Sequence, residues 1–290
     1  MAQTPAQLER LQSIHAHATS LGVPTRFLSR SEAASREPLI CAEEGVLESP
    51  DTGIMDSYGY MSYLESVIAD NGGTVALNSP VTSIAQLDSG QGWEAEISGE
   101  IKITADAVIN AAGLAAVDVH NMAIAKHNPP VKAYYAKGTY YTAGNVFARK
   151  IGTLVYPVVE PGLGGLGTHL TLDLAGRVRF GPDVEWTANP ADLDARAGAN
   201  LARAEDAVRE YLPSIEKGSL VPDYAGMRPK LAPKGEGGFV DFVIRDRGSE
   251  GYNGWVDLLG IESPGLTSSL GIARVVEEML YGESAPKFNL

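Results

Sequence analysis

The sequence predicts a mixed α/β (α+β) protein built as two lobes, and three observations carry that expectation. Apolar stripes of helical period stand near both ends of the chain. Short β-favouring runs separated by Gly, Ser and Asp fill residues 74–104 and recur from 134 to 181. Between them Ala107-Val-Ile109 leads through Asn110-Ala-Ala-Gly113 into a further helix, the pattern of a strand buried on both faces. With 290 residues, 44% apolar and 20% charged, the chain can give both lobes a core.

In chain order, Leu8, Leu11, Ile14, Ala18 and Leu21 lie on one helical stripe that stops at Gly22 before Pro24. Residues 25–40 read as irregular, except that Ser29-Arg-Ser-Glu32 has the spacing of a capping box for a short helix that Pro38 ends. A strand is expected at 45–48 and a turn at Ser49-Pro-Asp-Thr-Gly53. Tyr60, Met61, Leu64, Val67 and Ile68 then form a second helical stripe, closed by Asn71-Gly72-Gly73. Strands follow at 74–77, 81–84, 93–97 and 101–104, the last three as an antiparallel meander. Gly113 turns the chain into a helix ending near His127, and Pro129-Pro130 marks a boundary. Beyond it, Tyr134-Tyr135, Gly138-Thr-Tyr-Tyr141, Leu154-Val-Tyr156, 167–173 and 178–181 predict a strand-rich lobe. Residues 186–200 read as an exposed Ala-rich connection; Leu201, Ala204, Val208 and Leu212 then define a helix closed by Pro213. The tail reads as strand (239–245), hairpin, strand (255–261), the turn Ser263-Pro-Gly265, and helix (268–280). No internal repeat is visible.

Composition narrows the function classes. Lys plus Arg number 23 against 36 Asp plus Glu, a formal charge of -13 that repels phosphate backbones and anionic lipid, so nucleic acid is not an expected partner. The single cysteine, Cys41, excludes an internal disulfide, a CxxC pair and thiolate-rich zinc sites, and fits a reducing compartment. No apolar run approaches the roughly 20 residues of a membrane span, and the polar opening lacks a signal-peptide core. The expectation is a cytoplasmic protein without a metal site. His15 and His17 stand two apart on a helix, do not face one another and read as solvated, while the dipole of a helix end accounts for His120 and His127.

Three glycine-containing segments invite a ligand. Gly162-Leu-Gly164-Gly-Leu-Gly167 matches G-x-G-x-x-G, yet the β pattern Thr168-His-Leu-Thr-Leu172 follows where a dinucleotide site needs a helix, so it reads as a hairpin turn. Asn110-Ala-Ala-Gly113 lets a phosphate or ribose approach the backbone, or else serves close packing alone. In Ile261-Glu-Ser-Pro-Gly-Leu-Thr-Ser-Ser269 a strand ends, a turn intervenes, and Thr267, Ser268 or Ser269 can cap a helix whose free N–H groups favour an anion; plain capping is the alternative.

Taken together, Asn110-Ala-Ala-Gly113, Lys137-Gly-Thr-Tyr-Tyr141, Tyr156-Pro-Val158, Gly167-Thr-His-Leu-Thr171, Phe180-Gly-Pro-Asp183, Tyr224-Ala-Gly-Met-Arg-Pro-Lys230 and Glu262-Ser-Pro-Gly-Leu-Thr-Ser-Ser-Leu270 resemble the FAD-dependent L-2-hydroxyglutarate dehydrogenases. These belong to the superfamily of glycine and D-amino acid oxidases. The match is in order and covers nearly the whole chain. It implies a Rossmann-like FAD-binding lobe from residues 1–24, 54–128 and 236–290, and a strand-rich antiparallel substrate lobe from 25–53 and 129–235. The family's first strand, glycine-rich turn and helix have no counterpart here, because the chain opens at what resembles the next helix. The resemblance thus implies an N-terminally truncated FAD lobe, with an exposed sheet edge that invites self-association, or a unit supplied by another polypeptide. A non-catalytic remnant that cannot hold FAD is one alternative, and an amino acid (glycine or sarcosine type) oxidase is another.

The implied reaction oxidises a 2-hydroxy acid, L-2-hydroxyglutarate to 2-oxoglutarate, by hydride transfer to flavin; the electron acceptor that follows stays open. His169 is the implied base, since imidazole, with an ordinary pKa near 6.5, accepts a proton around neutrality. Arg228 would anchor a substrate carboxylate through two charge-assisted hydrogen bonds, with Tyr224 beside it and Lys137 and Tyr140 as further substrate contacts. A second carboxylate needs another cation, Lys137 and Lys230 being candidates. For FAD the implied contacts are Val81, Asn110, Ala111, Ala112, Gly113, Ser263, Pro264, Gly265, Leu266, Thr267 and Ser268, the last six forming the helix start that can stabilise negative charge on a reduced flavin. Asp183 reads as shaping a turn in the substrate lobe.

Overall fold

The structure, a computed structural model, describes residues 1–124, 129–158, 167–196, 200–236 and 240–282. His127, Phe239 and the glycines at 162, 164 and 165 lie outside the described residues. The chain divides into two compact units. Unit 1 takes Met1–Gly73, Lys137–Glu185 and Ala191–Gly226; unit 2 takes Thr74–Ala136, Trp186–Pro190 and Met227–Leu290. Residues 1–24 and 54–73 thus group by contact with 25–53, where the sequence expectation placed them in the other lobe.

Unit 1 opens with α1 (Pro5–Ser20), started by the Thr4 side chain accepting from the Gln7 N–H and by Pro5, which needs no partner in the first turn. The expected capping box is present: Ser29 and Glu32 satisfy each other's amides at the head of α2 (Arg30–Arg36). This helix connects β1 (Arg26–Leu28) to β2 (Val46–Glu48), which pair antiparallel. Asp56 caps α3 (Ser57–Asp70). The apolar stripe expected on this helix is left uncovered among the described residues, with Met61 54% and Ile68 43% exposed.

A five-stranded sheet follows. Its strands are β7 (Tyr134–Thr142), β8 (His169–Leu172), β9 (Val178–Gly181), β10 (Glu185–Thr187) and β11 (Val221–Lys230), in the order β10-β7-β9-β8, with β11 also on β7. Leu170 faces Phe180 and Leu172 faces Val178, and this side of the sheet packs on Ala204, Val208 and Tyr211 of α5 (Leu201–Tyr211). Because side chains alternate along a strand, His169, Thr171 and Arg179 point to the opposite face.

In unit 2 the meander forms as expected from β3 (Val81–Gln86), β4 (Trp93–Ile97) and β5 (Ile101–Ala105). A second sheet places β13 (Trp255–Leu259) between β12 (Val243–Asp246), antiparallel, and β6 (Val108–Asn110), parallel. Helices α4 (Ala116–Ile124) and α6 (Ser269–Tyr281) complete the unit. Its core gathers Trp93, Trp255 and Tyr252, with the two indoles 4.7 Å apart. Ring pairs of this kind add about 0.5–1.5 kcal/mol beyond their buried area.

Two expectations are corrected here. Residues 74–77 form no strand, since no neighbouring strand offers them a ladder. The strand through Ile109 is not buried on both faces: β6 is three residues long, stands at the edge of its sheet, and leaves Ile109 47% exposed.

Candidate active site

In unit 1, His169 stands on β8 with its ring edge against Tyr156, centroids 4.4 Å apart, and is 8% exposed. Directly across the ladder lies Gly181. At φ +135° this position suits only glycine, and a Cβ there would come within 2.8 Å of the Thr139 carbonyl oxygen and 3.0 Å of the Tyr140 Cα. No β9 side chain therefore covers the imidazole from its paired position. His169 lines a cavity of 1310 Å³ walled by Leu11, Ile14, Val46, Ile54 and Tyr156, among others. A buried basic group at the wall of an apolar cavity suits proton transfer from a small ligand.

Tyr140 and Tyr224, both candidate substrate contacts, stack with their rings 4.6 Å apart at 10°. Burial pushes the Tyr224 phenol above its ordinary range, so it stays a hydrogen-bond donor at neutral pH. Lys137 is corrected. It is 1% exposed, and its Nζ donates to Asp192 Oδ2 (3.1 Å) and lies 3.6 Å from Glu185 Oε2. Burial alone would lower this ammonium, but the two carboxylates outweigh it and hold it charged. A lysine so engaged is an internal ion pair, and Asp192 gives the stretch 186–200 a structural task the sequence did not reveal. Asp183 does shape its turn: Oδ1 accepts the Thr139 N–H (2.7 Å) and Oδ2 the Tyr141 hydroxyl (2.5 Å).

The remaining predicted residues belong to unit 2. Arg228 Nη1 lies 3.4 Å from Glu262 Oε2 and Lys230 Nζ donates to Oε1 (2.5 Å), so two cations share one carboxylate and the trio keeps a net positive charge. Val81 opens β3 and is 39% exposed. Asn110 is corrected in one respect: its Nδ2 donates to the Ala116 carbonyl (2.8 Å) and Asp257 Oδ1 (3.1 Å), leaving only its backbone for a ligand. Asp257 was missed altogether. Fully buried, it also accepts from His120 (2.7 Å), Arg247 (2.9 Å) and Trp255 (2.8 Å). Burial pushes its carboxyl up, yet the hydrogen bonds from His120 and Trp255 outweigh that and hold it below the ordinary range. An acidic residue inside the apolar run Trp255-Val-Asp-Leu-Leu259 was the available signal. His120 is therefore a buried partner of this carboxylate rather than a helix-end residue, and His15 bonds Thr25 (2.7 Å) and packs on Phe27 instead of standing in solvent. No cluster of metal-ligating side chains occurs among the described residues.

Two of the segments that the resemblance assigns to FAD leave backbone groups open. Gly113, at φ +58°, has nothing within 4 Å of where a Cβ would stand, so a ligand can approach its backbone. Ser268 sits at the N-cap of α6 but donates its hydroxyl back to Pro264, and no side chain caps the helix. The N–H groups of Leu270 and Gly271 find no acceptor among the described residues, so they and the positive end of the helix dipole can receive an anionic group. The G-x-G-x-x-G match is described only at Gly167, and the strand β8 begins two residues later; the rest of the expected turn lies outside the described residues.

Comparison with known proteins gives the family. The family model for FAD dependent oxidoreductase (DAO) matches residues 1–279. A mitochondrial L-2-hydroxyglutarate dehydrogenase of Arabidopsis thaliana is 35% identical over 86% of this chain and 58% of its own length. A glycerol 3-phosphate dehydrogenase of Caloramator mitchellensis is 24% identical over 94% of this chain and 54% of its own. The chain thus spans little more than half the length of these relatives. Among solved structures, the dithionite-reduced L-alpha-glycerophosphate oxidase of Mycoplasma pneumoniae, with FAD bound, superposes with a TM-score of 0.77 at 21% identity, covering 99% of this chain and 73% of that one. The chain belongs to the DAO family of FAD dependent oxidoreductases.

Proposed function

We propose that the chain acts in the FAD-dependent oxidation of 2-hydroxy acids, with L-2-hydroxyglutarate as the substrate oxidised to 2-oxoglutarate. The observation that carries this reading is His169 at the wall of a large, mainly apolar cavity. The 35% identity to the Arabidopsis L-2-hydroxyglutarate dehydrogenase supports the choice of substrate.

FAD, when bound, supplies the hydride acceptor and so the redox power of the reaction. The chain's own residues do the rest. His169, in edge contact with the Tyr156 ring, takes the proton of the substrate hydroxyl. Tyr224, kept protonated by burial and steadied by Tyr140, donates a hydrogen bond to the substrate. Arg228, whose Nη1 lies 3.4 Å from a Glu262 oxygen, is suited to hold a carboxylate through two charge-assisted hydrogen bonds. The backbone at 110–113 and 263–268 and the free amides at the start of α6 hold the cofactor, with Val81 as a further contact.

The test is the visible spectrum of the protein after loading with FAD and removal of free cofactor, followed by anaerobic L-2-hydroxyglutarate. Bound flavin that bleaches supports the reading. Flavin that bleaches only with glycerol 3-phosphate or glycine moves the substrate, and flavin unaffected by all three overturns it.

A further inference from the structure

The dicarboxylate substrate of the proposed reaction needs a second cation; of the two lysines that the sequence offered, Lys137 is 1% exposed and bonded to Asp192, and Lys230 belongs to the other unit from His169. One cation stands on the same sheet face as His169. Thr171 of β8 pairs with Arg179 of β9, and His169 pairs with Gly181, so Arg179 is the diagonal neighbour of His169 across the ladder. Such positions are about 7–8 Å apart between Cα atoms, within the reach of an arginine side chain. The guanidinium lies over the ring of Tyr224, 5.7 Å from its centroid, and Tyr224 stacks on Tyr140. Arg179 also lines a second cavity of 570 Å³. Ile54 and Leu172 line both this cavity and the one that holds His169, so the two adjoin.

We propose that Arg179 is a specificity-determining residue: it receives the anionic group at the far end of the substrate while His169 takes the hydroxyl proton at the near end. This rests on the function proposed above. The guanidinium is prepared for the task. Its Nε is fixed by Asp223 (2.7 Å), its Nη1 lies 3.6 Å from Asp173, and its Nη2 makes no hydrogen bond among the described residues. The aromatic pair beneath it fixes the plane of the fork, which lowers the ordering cost of binding. In L-2-hydroxyglutarate the second carboxylate is three carbon–carbon bonds from the carbon bearing the hydroxyl, a spacing that suits two residues placed diagonally on one face. Asp223 and Asp173 offset the charge of Arg179 when no substrate is present, so a ligand carboxylate competes with them.

The experiment compares L-2-hydroxyglutarate with L-2-hydroxybutyrate, which keeps the reacting end and lacks the distal carboxylate, and with glycerol 3-phosphate. It uses anaerobic reduction of the FAD-loaded wild type and of Arg179→Gln, Arg179→Lys and Asp223→Asn. Wild type favours hydroxyglutarate over hydroxybutyrate. Arg179→Gln weakens hydroxyglutarate about 10- to 100-fold through its apparent Kd, changes hydroxybutyrate far less, and is partly rescued by Arg179→Lys. Asp223→Asn, which removes the internal competitor, tightens hydroxyglutarate. A preference for glycerol 3-phosphate that Arg179→Gln removes assigns the same residue to a phosphate. Equal loss on hydroxyglutarate and hydroxybutyrate, or no loss on either, overturns the proposal. If no compound reduces the flavin, the proposed reaction fails, and calorimetric titration of glutarate against butyrate still decides the role of Arg179. Glutarate binding that Arg179→Gln weakens at least tenfold, with butyrate nearly unchanged, upholds it; glutarate bound no better than butyrate, or not at all, overturns it.

Discussion

The two units each bury a histidine, and the surroundings of the two differ. His120 of unit 2 is 3% exposed and donates to Asp257, a carboxylate that also receives Arg247, Trp255 and Asn110. Every lone pair of that carboxylate has a use, and the cluster ties α4, β6, the segment at Arg247 and β13 into one body. His169 of unit 1 has about the same burial but meets a tyrosine ring edge, an apolar cavity and a glycine. A histidine whose carboxylate partner is itself saturated belongs to the scaffold; one that lines a cavity can meet a substrate. Burial alone does not separate the two cases.

The sharpest way to break this comparison is to truncate each ring. His169→Ala is expected to slow flavin reduction about 100- to 10,000-fold, the usual range for loss of a general base, while leaving the urea midpoint of unit 1 close to wild type. Stopped-flow absorbance reads the rate, and a rate within threefold of wild type removes His169 from the mechanism. Next in size is Asp257→Asn, expected to destabilise unit 2 by about 3–5 kcal/mol, because His120 and Arg247 would face a neutral partner in a buried site. Urea denaturation followed by tryptophan fluorescence reads this through Trp93 and Trp255, and an unchanged midpoint would mean that the carboxylate is dispensable. His120→Ala removes one charge-assisted bond and is expected to cost about 1.5–3 kcal/mol, with little effect on reduction rate per folded, flavin-loaded molecule. The reverse pattern, activity lost and stability kept, would exchange the roles given to the two histidines.

Acid sharpens the same contrast. The folded-state carboxyl of Asp257 titrates below its ordinary value, so its contribution to stability is fully present above the unfolded carboxylate range near pH 4. That contribution is lost as pH falls through the lower folded value. Unit 2 is therefore expected to lose stability below about pH 4, and Asp257→Asn to flatten that part of the profile. Circular dichroism against pH checks this, and an identical acid transition in the variant would count against it.

How much of this was readable in the sequence follows from where each signal resides. Local signals were legible: the Ser29 capping box, the meander through β3, β4 and β5, and the stripe of α5 all depend on neighbours within a few residues. The strand expected at 74–77 and the two-sided burial of Ile109 were not, since each depends on whether another strand stands alongside. For the same reason, motif order could nominate Lys137 but could not foresee Asp192, 55 residues away, claiming its charge. Arg179 carried no motif of its own. Only the pairing of β8 with β9 places it on the face of His169.

The central claim, that His169 takes the substrate proton in an FAD-dependent oxidation, is tested most directly by one paired measurement. Wild type and His169→Ala are loaded with FAD, freed of excess cofactor, and mixed anaerobically with L-2-hydroxyglutarate while the visible flavin band is followed. The account predicts equal flavin content, rapid bleaching in wild type and bleaching slowed at least 100-fold in the variant. Equal bleaching rates in the two proteins, or a loaded wild type that does not bleach, would contradict it.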